Sequence, residues 1–65
     1  MKLSEQRLKQ AAEQQGLKQT DISRITGLSY STVNQIWRGR ACSKFTAEML
    51  AAALDVPLEK LEERG

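Results

Sequence analysis

Three glycines, Gly16, Gly27 and Gly39, recur at intervals of 11 and 12 residues in a chain of only 65, and two of them directly follow a run with helical spacing of apolar residues. Glycine takes the left-handed backbone that stops a helix almost without cost, so such a chain is cut into short helical pieces. No stretch alternates apolar and polar residues as a half-buried strand does, and the predicted class is all-α. A chain this short makes one domain, residues 1–65, with a small core worth only a few kcal/mol. An elaborate enclosed active site does not fit inside it.

Each piece carries its own start and stop signals. Ser4 is an N-cap candidate, and Leu3 and Leu8 on either side of it have the spacing of a hydrophobic staple. Helix one is expected from about Glu5 to Gln15, burying Leu8, Ala11, Ala12 and the stem of Gln15, with Gly16 ending it and Leu17 folding back on Ala12. The second piece, KQTDISRIT, spans about two turns with Ile22 and Ile25 as a narrow apolar stripe. Gly27 ends it, and Ser29 is the residue type that caps a third helix, so the two form a helix-turn-helix candidate over about residues 18–38. A fourth piece buries Ala47, Leu50, Ala51 and Leu54, capped by either Ser43 or Thr46, the latter with a Phe45/Leu50 staple. Pro57 then suits the start of a fifth helix that returns Leu58 and Leu61 to the core, and the final EERG is expected to fray.

Charge and residue chemistry narrow the function. The net charge is +2, but residues 1–44 hold eight Lys/Arg against three acids, whereas residues 45–65 hold two against five. The N-terminal two-thirds is therefore where a polyanion would be met. With no histidine and a single cysteine, Cys42, there is neither a Cys/His metal set nor a nucleophilic triad of the usual kind, so no enzymatic activity and no cofactor are expected. Cys42 reads as a spectator thiol. No segment approaches the roughly 20 apolar residues of a membrane span, and MKLSEQRLKQ lacks a signal-peptide core, so a cytoplasmic location without membrane or small-molecule partners is expected.

The third helix is the informative one. At about 100° per residue from Tyr30, the residues Asn34, Arg38, Ser31 and Gln35 fall between about 40° and 140°, whereas Thr32, Ile36, Val33 and Trp37 fall between about 200° and 340°. A solvated helix face is ordinarily rich in Glu and Lys, but this one offers Tyr, Ser, Asn, Gln and Arg with no acid among them. Asn and Gln pair bidentately with adenine, Arg pairs with guanine, and a helix fits the major groove, so the polar face is read as one that touches base edges.

From Leu17 onward, LKQTDISRITGLSYSTVNQIWRGR resembles the helix-turn-helix of the phage Cro and repressor (XRE) family. The LxQxxIS entry, the central Gly-Leu-Ser, the Ser-Thr-Val of helix three, the Arg-Gly-Arg exit and the closing ALDVPLEKL extend the likeness over nearly the whole chain. The resemblance implies a compact five-helix domain of lambda-repressor-like architecture, binding double-stranded DNA with helix three in the major groove, usually as a homodimer on a near-palindromic operator. It implies that Tyr30, Ser31, Asn34 and Gln35 read bases, with Asn34 on the flank and Tyr30 either on a thymine methyl or along the sugar-phosphate backbone. Phosphate contacts fall to Gln19, Lys18, Arg38, Arg40 and Lys44, and a dimer interface falls near Phe45, Ala47, Met49 and Leu58.

Departures from the family pattern carry their own expectations. Lys18 stands where Thr or Ser commonly caps helix two, so that helix should start less firmly. Trp37 and Ala12 replace a common Glu/Arg ion pair, which leaves Trp37 either in the core over Ala12 or exposed at a partner interface. Asp55 replaces the glycine that usually ends helix four. Three functions remain open on the sequence: a Cro-like repressor that occupies an operator, the DNA-targeting module of a larger repressor or transposition protein, and an antitoxin-like protein-interaction domain.

Overall fold

The computed structural model describes residues 1–63, with α1 at Glu5–Gln15, α2 at Gln19–Thr26, α3 at Tyr30–Trp37, α4 at Lys44–Leu54 and a single 3₁₀ turn at Leu58–Lys60. The expected boundaries of the first three helices hold. Ser4 accepts the Arg7 N–H and closes the start of α1, while the Leu17 N–H reaches back 2.9 Å to the Ala12 carbonyl behind Gly16, which sits at φ 66°. Both staple residues, Leu3 and Leu8, are buried.

Five helices were expected, and among the described residues there are four plus that 3₁₀ turn. Pro57 does open the last element, but competing bonds stop it after one turn. The Leu61 carbonyl accepts the Ser4 N–H at 2.7 Å, and Glu62 pairs with Leu3 as an antiparallel bridge. Glu62 and Glu63 are thus tied to the N-terminal segment rather than frayed, and the Glu63 N–H donates to the Lys2 carbonyl at 3.2 Å. Arg64 and Gly65 lie outside the described residues.

Helix α2 packs on α3 and α4, and α1 packs on the same two helices. The enclosed core contains Leu3, Leu8, Ile22, Val33, Ile36, Trp37, Leu50, Leu54 and Leu61 with Ala11, Ala12, Ala47 and Ala51, and among the described residues no polar or charged one is buried with them. Trp37 is 7% exposed, which places it in the core with Ala12 rather than on a partner surface. Apolar packing there takes the place of a buried ion pair and its desolvation cost. Two expected core contributions fail: Gln15 is exposed, and Ile25 is 58% exposed because α2 turns only Ile22 fully inward.

At α4, Ser43 is the cap, its hydroxyl accepting the Thr46 N–H at 3.1 Å, so Phe45 lies inside the helix and forms no staple. Ala47 was expected at a dimer interface, but it is wholly buried and belongs to the core. Asp55 ends α4 at φ 56°, ψ 44°, the left-handed conformation glycine would have taken, and it is the only non-glycine residue with positive φ among those described.

Candidate nucleic-acid interface

The turn between α2 and α3 is fastened by side chains of α2. Ser23 Oγ donates to the Leu28 carbonyl at 2.5 Å, and Thr26 Oγ1 donates to the Ile22 carbonyl at 2.7 Å while accepting the Leu28 N–H at 3.2 Å. Gly27 at φ 78° makes the reversal, with its N–H on the Ser23 carbonyl. Ser29 then accepts the Thr32 N–H and bonds the Thr32 hydroxyl, which fixes the first turn of α3. The angle between the two helices is thereby held by short, local bonds. Ser23 and Thr26 had not been singled out from sequence, although hydroxyls flanking a Gly-Leu-Ser turn are a readable signal for such bonding.

Lys18 lacks a lone pair and cannot cap α2 as Ser or Thr would. Asp21 compensates from inside the first turn, its carboxylate accepting the Lys18 backbone N–H at 2.8 Å. The start of α2 is therefore firmer than the sequence suggested, and the Lys18 ammonium stays exposed beside it.

On the outer face of α3, Ser31, Gln35 and Arg38 are exposed, Tyr30 is 51% exposed, and Asn34 is half-buried against α2. Two amide contacts organise this face. Asn34 Nδ2 donates to Gln19 Oε1 at 3.0 Å, joining the first residue of α2 to the middle of α3 and leaving the Gln19 amide hydrogens free. A glutamine held this way offers a donor pair at a helix N-terminus, where backbone N–H groups already favour an anion. The second contact runs from the Arg40 guanidinium to Gln35 Oε1. Both residues edge a shallow cleft between α3 and the start of α4 that Thr32, Ile36, Ser43 and Thr46 complete.

The expected residues separate accordingly. Gln19 is paired with Asn34 and Gln35 with Arg40 by direct contacts, and Tyr30, Ser31 and Arg38 share the same helix face. Lys44 is exposed at the first position of α4. Of the interface candidates, Phe45 is 72% exposed and Met49 half-buried one turn along, while Leu58 is half-buried against the core.

Cys42 is half-buried, and its backbone N–H and carbonyl bond the carbonyl and the α-amino group of Met1. Burial raises the thiol pKa above its ordinary value, against a smaller lowering by the Met1 ammonium. Among the described residues no cluster of His, Cys, Asp or Glu is arranged to hold a metal, and no helix is long and apolar enough to cross a membrane.

A family model described as helix-turn-helix matches residues 8–61, from the middle of α1 to the end of the core. No curated protein and no solved structure matches the chain.

Proposed function

Because the chain belongs to the XRE-type helix-turn-helix family, a family of DNA-binding regulatory domains rather than of enzymes, we propose that it is a Cro-like repressor that occupies an operator with α3 in the major groove. The observation that carries this reading is the exposed face of α3, free of acids, standing beside a turn fixed by Ser23, Thr26 and Gly27. Gln35 and Ser31 read base edges, Tyr30 and Asn34 work at the margins, and Gln19, Lys18, Arg38 and Lys44 grip phosphates, while Arg40, which the family resemblance also puts on a phosphate, turns its guanidinium to Gln35 instead. The phosphate contacts set register and most of the affinity, and the base contacts discriminate at about 1–3 kcal/mol per good bidentate pair.

A homodimer suits this reading, with Phe45 and Met49 as the apolar surface for a second copy and Leu58 at its edge. The longest extent of one domain, 29 Å, is close to the roughly 34 Å helical repeat that separates half-sites. Exposure of Phe45 also supports a second reading, a domain whose DNA binding serves a larger assembly through a protein contact.

Selection of sites from random duplex DNA by the purified chain, followed by affinity for the selected site and a scrambled duplex at two salt concentrations, tests the proposal. A two-fold-symmetric consensus preferred by about a thousandfold or more is expected. Weak, salt-sensitive binding to every duplex alike would refute autonomous operator recognition.

A further inference from the structure

The Gln35–Arg40 contact deepens the operator reading and rests on it: we infer that Arg40 is a positioning residue which, through Gln35, sets base choice at one position of the site to guanine. A guanidinium carries only donors, so the carboxamide beside it must turn its oxygen inward and its NH₂ outward. The pairing has a backbone cause. Gly39, at φ 99°, reverses the chain behind α3, and the Arg40 N–H then donates to the Gln35 carbonyl at 3.0 Å. Arg40 is thus folded back over the turn that carries Gln35, and its side chain meets the Gln35 amide. No acid lies between Tyr30 and Arg40 to draw the guanidinium elsewhere on that helix.

The chemistry of the base edge follows from that arrangement. An unattached glutamine reads adenine by donating to N7 while accepting from the N6 amino group. Gln35, with its oxygen on a cation and a guanidinium at its side, presents donors, and an adenine amino group would face them unpaired. Guanine offers two acceptors in the same groove, N7 and O6, and matches a donor-only surface.

Competition binding of the full chain to its selected site and the four base-pair variants at each position tests this, with Gln35→Ala identifying the position that Gln35 reads. Wild-type protein is expected to prefer guanine over adenine there by about tenfold or more, the scale of one good base contact. Arg40→Ala, at an exposed position and so without consequence for folding, is expected to move the preference at that one position to adenine and leave the others unchanged. Arg40→Lys, which keeps a donor, is expected to retain guanine in weakened form. A uniform loss over all sequences in Arg40→Ala, or an adenine preference in the wild type, overturns the inference and leaves the operator reading standing. If Gln35→Ala relaxes no position at all, base reading by Gln35 fails and the inference falls with it.

Discussion

Trp37 is the largest of the side chains that α3 buries, and replacing it with alanine tests its place in the core directly. An indole of about 250 Å² that is 7% exposed hides roughly 230 Å². At about 25 cal/mol per Å² this corresponds to an upper bound near 6 kcal/mol. The methyl group that alanine retains and partial collapse of the cavity bring the expected loss to about 3–5 kcal/mol. A domain of this length has a total stability of roughly 3–10 kcal/mol, so at the middle of that range Trp37→Ala is expected to remove about half or more of it. Urea titration followed by far-ultraviolet circular dichroism measures the loss without needing the indole as a probe, and Trp37→Phe should recover part of it. A loss under about 1 kcal/mol for Trp37→Ala would refute the argument, because only an exposed or loosely packed tryptophan is that dispensable.

Three further outcomes are expected. Asp55→Gly relieves the left-handed backbone at the end of α4 and, after the entropy glycine adds to the unfolded chain, should stabilise by about 0.5 kcal/mol, whereas Asp55→Val should destabilise by 1 kcal/mol or more, about; equal melting temperatures for the two would contradict the φ-based argument. Ser23→Ala leaves the half-buried Leu28 carbonyl without its donor and should cost about 1–2 kcal/mol, seen as a fall in melting temperature of several degrees. Burial raises the Cys42 pKa, so its thiolate fraction near neutral pH is below that of the unfolded chain. Alkylation should be slow there, accelerate only at higher pH than in denaturant, and a folded chain that reacts as fast as the unfolded one at neutral pH would show the thiol to be unprotected.

Much of the fold was legible because its signals are local. Ser4, Gly16, Gly27 and Ser29 act on backbone groups within a few residues of themselves, and each does what its type predicts. The fifth helix failed because its length is decided by Ser4 and Leu3, at the far end of the sequence. Ala47 was put at the interface beside Phe45 by the family resemblance, although its spacing from Leu50, Ala51 and Leu54 puts it on the core stripe; two residues along a helix are about 200° apart, and only one of them can face out. The polar face of α3 was readable from its wheel. Its internal bonds were not, since Asn34–Gln19 and Gln35–Arg40 depend on how α2 and the Gly39 reversal bring side chains together.

The bridge between Leu3 and Glu62 has a topological consequence. It brings two nearly opposite ends of the chain to within the spacing of paired strands, about 5 Å. The path from Leu3 to Glu62 is therefore almost a closed loop. A covalent cross-link between the positions of Leu3 and Glu62 would change little in the folded shape while removing many open-chain arrangements from the denatured ensemble.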